Sequence, residues 1–254
     1  MAYYIQTCVF LVGLAIGSFL NVVIYRLPKG YSIVRPGSFC PNCRKKILWY
    51  ENVPLISYIL LKGRCSNCGE RISVRYPIVE VLSGVIALFL YRRYGLSLDF
   101  FFVYSFVIAL FAITLIDWEH RIVPDELSLP FIIVGIVWSF LSPERSLTGS
   151  ALGALVGGGG LLLIGYLYKL IRHTEGMGGG DVKLMAMIGA FVGIRLVFPV
   201  LLIASFAGSV YGVFLMKKGL GAKATVAFGS FLAPSAAICL LYGETFLSYY
   251  LSHF

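Results

Sequence analysis

Carboxylates are scarce in this sequence: Asp and Glu together number 12 among 254 residues, and histidine occurs 3 times. Charged residues of both signs make up 13% of the chain, against 59% hydrophobic residues. A water-soluble globule typically carries about 25% charged residues, so these proportions exclude an ordinary soluble enzyme. His120, His173 and His253 form no H-E-x-x-H or similar cluster, which leaves a catalytic metalloprotease without ligands. The glycine-rich stretch at 176–180 lacks the G-K-[ST] ending of a phosphate loop and leads into an apolar run. Charge is absent altogether from residues 2–25, 100–116, 146–168, 196–216 and 224–243.

Each of those windows is near the roughly 20 residues that cross a bilayer as a helix. Shorter stretches at 77–91, 127–142 and 184–194 become spans if their polar flanks lie at the interface or line an interior. The expectation is an all-α polytopic membrane protein of about eight transmembrane helices. Residues 2–25 lack a basic n-region and run too long for a signal h-region, so they read as a retained first helix. With eight spans, one side of the membrane holds 17 Lys and Arg residues and the other holds Arg92, Arg93, Arg145 and Arg195. The positive-inside rule makes the first side cytoplasmic and places both termini outside. The net charge of +9 is thereby assigned to membrane topology rather than to nucleic acid.

The expected organisation is a first helix at 1–25, a cytoplasmic module at 26–76 between the first two spans, and a seven-helix membrane domain at 77–254. The module carries Cys40 and Cys43, then Cys65 and Cys68, a C-x2-C pair repeated after 21 residues. Four thiolates at this spacing suit one tetrahedral zinc. Two disulfides are the alternative, disfavoured in a reducing cytoplasm. A four-thiolate site is closed, so its zinc stabilises a fold too small to build a core of its own. Cys8 and Cys239 have no partners at ligand spacing and read as small apolar residues.

The few carboxylates are informative by position. Asp117 ends the uncharged window 100–116, and Asp181 opens a later helix in "GMGGGDVKL"; the topology delivers both to the cytoplasmic face. Two carboxylates close enough to share a proton supply one base to activate water and one acid to protonate a carbonyl oxygen, which is aspartic-protease chemistry. Alone, each has a plainer role, Asp181 as a helix cap and Asp117 as an interfacial residue. Gly176, Gly178, Gly179 and Gly180 remove nearly every Cβ ahead of Asp181 and give a substrate backbone room to approach. Asp125, after Pro124, is expected to cap a helix in support, and Glu80 falls inside the second span, as a buried partner or a cofactor contact. The stretch "GALVGGGG" at 153–160 reads as a helix-packing face. Helix dipoles point to Asp181 as the ionised base and Asp117 as the acid. Glu119, Asp125, Glu126 and Glu175 offer negative charge to a basic peptide.

These residues resemble the bacterial type IV prepilin peptidases, membrane aspartyl proteases of the GxGD kind. The likeness runs through "GSFLNVVIYRLP", the four cysteines, "ENVPLISYILLKGRC", "RYPIVE", D-x5-V-P-D at 117–125, "GMGGGDVKLMAMIGAFVG" and "FGSFLAP". It implies a bacterial inner-membrane enzyme that removes the basic leader of prepilins or pseudopilins at the cytoplasmic face, after a glycine. Asp117 and Asp181 fall on the catalytic aspartates. The resemblance also implies N-methylation of the new N-terminal residue with S-adenosylmethionine, although no methyl-donor site is recognisable in the sequence. Val123 replaces a usual isoleucine, and Ser230 stands where proline is frequent. Alternatives are a peptidase without methyl transfer, a zinc-bearing assembly scaffold, and a zinc-dependent membrane protease. The oligomeric state and the pilus, secretion or competence system served are not legible.

Overall fold

The computed structural model describes residues 2–174, 178–218 and 227–252. Its helices are α1 (Ala2–Arg26), α2 (Ile56–Leu60), α3 (Arg75–Tyr94), α4 (Leu98–His120), α5 (Asp125–Leu141), α6 (Leu147–Arg172), α7 (Gly179–Val192), α8 (Ile194–Lys217) and α9 (Gly229–Ser252). Short 3-10 turns occupy Leu27–Lys29 and Trp49–Asn52. Extended pairing among the described residues is confined to two isolated bridges, Phe39 with Lys46 and Arg64 with Arg71. Five helices, Tyr3–Lys29, Leu98–His120, Leu147–Arg172, Ile194–Lys217 and Gly229–Tyr249, are long and apolar enough to cross a membrane. Helices α3, α5 and α7 coincide with the three shorter expected spans but do not belong to that set.

The chain divides into two compact units, Met1–Ile108 and Ala109–Phe254. In the first, α1 packs along α3 with little between the backbones. A Cβ added at Gly13 would lie 2.7 Å from the Cα of Gly84, and one at Gly17 would lie 2.7 Å from the Cα of Glu80. The G-x-x-x-G spacing of Gly13 and Gly17 is the small-residue pattern that lets membrane helices approach closely. Beyond α1 the chain turns back on the buried guanidinium of Arg26. Its Nη1 donates to the carbonyls of Ser32 (3.0 Å) and Pro36 (2.7 Å), and its Nη2 to that of Gly37 (3.0 Å). One of the 17 charges counted for topology is therefore a structural clamp.

The second unit is built around α7, which buries Leu184, Met185, Met187, Ile188, Gly189, Ala190, Phe191 and Val192. Helices α5, α6 and α9 pack against it. The "GALVGGGG" stretch lies in α6, and its Gly153, Gly157 and Gly158 face α7: a Cβ at Gly157 would sit 2.8 Å from the Met185 carbonyl oxygen, and one at Gly158 would sit 2.8 Å from the Ala186 Cβ. Gly159 and Gly160 face open space. The carbonyl end of α7 is closed by two donors: Arg145 Nη1 on the Phe191 carbonyl and Ser150 Oγ on the Ala190 carbonyl, each at 2.6 Å. The Arg145 guanidinium lies 3.5 Å from the Trp138 ring centroid, and its charge complements the negative end of the helix. Packing and capping together fix α7, and with it the position of Asp181 in its first turn.

Candidate active site and metal centre

Asp117 lies in the last turn of α4 and is buried, with 4% of its surface exposed. Its Oδ2 accepts the backbone N–H of Ser230 at 2.6 Å and the Ser230 hydroxyl at 3.0 Å. That hydroxyl also contacts the Thr114 carbonyl at 3.3 Å, one turn back along α4. Asp181 is half-buried, close enough to Asp117 to feel its charge, and its carboxyl is influenced by the backbone N–H of Gly229. The start of α9 thus sets the Ser230 amide on Asp117 and the Gly229 amide near Asp181. Gly229 has no room for a side chain: a Cβ there would lie 2.9 Å from Asp117 Oδ2 and 3.3 Å from Leu184 Cδ2. Trp118, Tyr211 and Phe231 pack as an aromatic cluster beside the pair, with centroids 5.3 Å apart for Trp118 and Tyr211 and 5.6 Å apart for Tyr211 and Phe231.

The glycines ahead of Asp181 divide by role. Gly176 lies outside the described residues, as do Glu175 and His253. Gly178 precedes α7 in an extended conformation, and its missing Cβ would stand 3.8 Å from Asp181 Oδ2. Gly179 and Gly180 are already helical, so this part of the expected loop is the first turn of α7. Gly179 opens onto free space, which keeps room for an approaching chain, whereas a Cβ at Gly180 would press on Val123 at 3.1 Å. Gly180 therefore packs the D-x5-V-P-D segment.

Asp125 does not cap a helix with its side chain; it is the first residue of α5, after Pro124. Both of its carboxylate oxygens lie 2.7 Å from Lys183 Nζ. The pair joins the beginning of α5 to the first turn of α7. Sequence reading missed Ser230, Gly229 and Lys183. "FGSFLAP" carried the signal for the first two, but nothing local to it says that its amides turn toward aspartates on other helices.

In the first unit, the four thiols of Cys40, Cys43, Cys65 and Cys68 lie within 4.8 Å of one another. Cys40 and Cys68 are 3.9 Å apart at sulfur, as are Cys43 and Cys65, and all four are free thiols. Disulfide sulfurs lie about 2.05 Å apart, whereas thiolates about 2.3 Å from a central zinc stand about 3.8 Å apart at tetrahedral angles. The donor set fits zinc. Two matching turns build it: Arg44 N–H donates to the Cys40 carbonyl (2.9 Å) and Gly69 N–H to the Cys65 carbonyl (3.0 Å). Arg44 (φ 56°) and Gly69 (φ 70°) hold equivalent left-handed positions. Backbone donors aim at the sulfurs: the Lys45 N–H is the largest cause pulling the Cys43 thiol down to about 6, and the Cys68 and Asn67 amides lower that of Cys65. At Cys68 the Glu70 amide also pulls down, but desolvation and the neighbouring Cys43, Cys65 and Cys40 outweigh it and push the thiol up to about 11. Four thiolates repel one another without a cation, and a bound dication removes that conflict.

Glu80 of α3 is buried; its Oε2 accepts the backbone N–H of Leu55 at 2.9 Å, and the Ser18 side chain lies near its carboxylate. A cavity of about 390 Å³ opens beside it, lined by Ser18, Asn21, Tyr25, Tyr58, Tyr76 and Glu80 among others. Glu80 is thus a buried partner of the Leu55 amide, and it also forms part of the cavity wall.

Two family patterns match the chain: "Bacterial Peptidase A24 N-terminal domain" over residues 11–94 and "Type IV leader peptidase family" over residues 104–213. Relatives named prepilin leader peptidase/N-methyltransferase are similar over most of its length. That of Pseudomonas putida is 35% identical, covering 96% of this chain and 92% of its own. That of Pseudomonas aeruginosa is 34% identical, with the same 96% and 92% coverage. That of Myxococcus xanthus is 40% identical over 82% of this chain and 62% of its own. No solved structure matches. With both family patterns in chain order and this identity across nearly the whole sequence, the chain belongs to the type IV leader peptidase family, and it is a membrane enzyme.

Proposed function

We propose that this protein is an aspartic endopeptidase that removes the basic leader from type IV prepilins or pseudopilins at the cytoplasmic face of the bacterial inner membrane, then methylates the new N-terminus. The observation that carries the peptidase reading is the approach of Asp117 and Asp181 to the consecutive amides of Gly229 and Ser230. A pair that shares one proton uses its ionised member to take a proton from water as the water oxygen adds to the scissile carbonyl. The protonated member meanwhile gives its proton to the carbonyl oxygen. Collapse of the tetrahedral adduct breaks the C–N bond, and the departing amine takes up a proton. The open side at Gly179 supplies room for the substrate strand.

Methyl transfer is supported by the relatives' names and by the Glu80 cavity. S-adenosylmethionine supplies an electrophilic methyl group on a sulfonium cation. A buried carboxylate with tyrosine rings around it suits such a cation. Glu80 would face the charge, and Tyr25, Tyr58 and Tyr76 would enclose the ligand. The four cysteines would hold zinc as a structural ion. Exposed Glu119 and Glu126 offer negative charge to the leader; Asp125 contributes less, because Lys183 neutralises it.

Incubating the purified protein with a prepilin, with and without S-adenosylmethionine, and weighing the products by mass spectrometry tests both activities. Leader loss in both samples, with an added methyl group only when the donor is present, is the expected result. Intact prepilin in both would overturn the peptidase reading.

A further inference from the structure

The two aspartates are not equivalently held. Ser230 places two donors on a single oxygen of Asp117, at 2.6 and 3.0 Å. Among the described residues, Asp181 is influenced by the Gly229 amide. Donors to a carboxylate favour its charged form, and hydrogen bonds to charged groups outweigh the effect of one helix end by roughly two- to three-fold. The helix ends also balance differently from the expectation based on α4 and α7 alone. Asp117 lies at the negative end of α4, but Ser230 belongs to the first turn of α9, so the same carboxylate sits on the positive end of a second helix. Among the described residues, the charged groups facing Asp117 are Asp181 on α7 and Arg121 just beyond α4; the first turn of α9 brings none.

We propose that Ser230 is a positioning residue that keeps Asp117 the ionised member of the pair and leaves the shared proton on Asp181. The inference rests on the peptidase reading above and reverses the assignment drawn from the dipoles of α4 and α7. Asp117 takes the proton of the attacking water while the new C–O bond forms, and Asp181 passes its proton to the carbonyl oxygen. On collapse, Asp117 returns its proton to the departing amine as the C–N bond breaks, and Asp181 recovers one from the hydroxyl that reverts to a carbonyl. Ser230 exchanges no proton. Its two donors hold the acceptor oxygen in place and make the charge on it favourable.

The test is the pH dependence of prepilin cleavage by the full-length protein in detergent or lipid, over about pH 4 to 9, for wild type, Ser230→Ala, Ser230→Thr and Ser230→Pro. Ser230→Ala removes the hydroxyl. Ser230→Pro also removes the N–H, at a first-turn position where proline is tolerated. With fewer donors, the base ionises only at higher pH. The acid limb of kcat therefore moves upward by about one pH unit in Ser230→Ala and further in Ser230→Pro, with KM little changed. Ser230→Thr restores the wild-type limb. An active wild type whose limb stays in place in both Ser230→Ala and Ser230→Pro, or whose kcat falls equally at every pH in them, overturns this inference alone. A wild type that cleaves at no pH overturns the peptidase reading and this inference with it.

Discussion

The module at 26–76 and the core around α7 are held together by opposite means. Between residues 26 and 76 the buried residues are Arg26, Cys40 and Ser57, so this segment has almost no apolar interior. Its order comes from backbone hydrogen bonds, the Arg26 clamp and four converging thiols. Around α7 the interior is apolar and close-packed, and glycines rather than ligands set the distances between helices. The contrast teaches that one chain can have two separate vulnerabilities. The module should fail when a thiol of its four-cysteine cluster is removed, and the α7 core when volume is added.

Substitutions at the aspartates probe the chemistry of the second unit without disturbing either scaffold. Asp117→Asn and Asp181→Asn should each lower cleavage by about a thousandfold or more, while a peptide already lacking its leader is still methylated. Full cleavage by either purified variant would refute the dyad. Cys40→Ser with Cys43→Ser, or strong chelation, should release the metal and lose the about 10 kcal/mol or more that structural zinc gives such modules. Methyl transfer should then fall well before cleavage does, as read by elemental analysis beside product masses. Because protons compete for thiolates, metal retention should also decline as pH falls. Less than about half an equivalent of metal in the intact, reduced protein would argue against the four-ligand site.

Crowding substitutions are next in size. Gly17→Ala places a methyl group against the Glu80 backbone and should cost about 1–3 kcal/mol, lowering methyl transfer with little loss of cleavage. Gly157→Ala, against Met185 of α7, should show the reverse preference. Equal loss of both activities in each variant would blur the distinction between the units. The smallest effect is expected at the exposed Asp125–Lys183 pair, where Lys183→Ala should cost about 0.2–1 kcal/mol in a thermal melt. A much larger loss would make the pair a principal anchor of α7.

Eight of the described helices were legible because uncharged or nearly uncharged runs and their flanks mark them, and α7 was recognised despite its brevity, although five of them are long and apolar enough to cross a membrane. The pairing of Asp117 with Asp181 was expected from topology, which directs the last turn of one helix and the first turn of another to one membrane face. Ser230 was visible as a departure from a common proline, but its meaning depended on the turn that opens α9, a tertiary fact. Gly13 and Gly17 were legible in principle through their four-residue spacing. Lys183 was not, because its partner lies 58 residues away in sequence and an isolated lysine carries no sign of it.

Helix α7 is 14 residues long, so it rises about 21 Å, about 9 Å less than the hydrocarbon core of a bilayer. Set across a bilayer, such a helix would leave that deficit at its two ends. At one end the Arg145 cation is seated on the last carbonyls; at the other lie Gly178, Gly179 and the carboxyl of Asp181. A helix this short, set across a bilayer, would hold its first-turn carboxyl within the membrane's depth rather than beyond it, where an ionised group is costly.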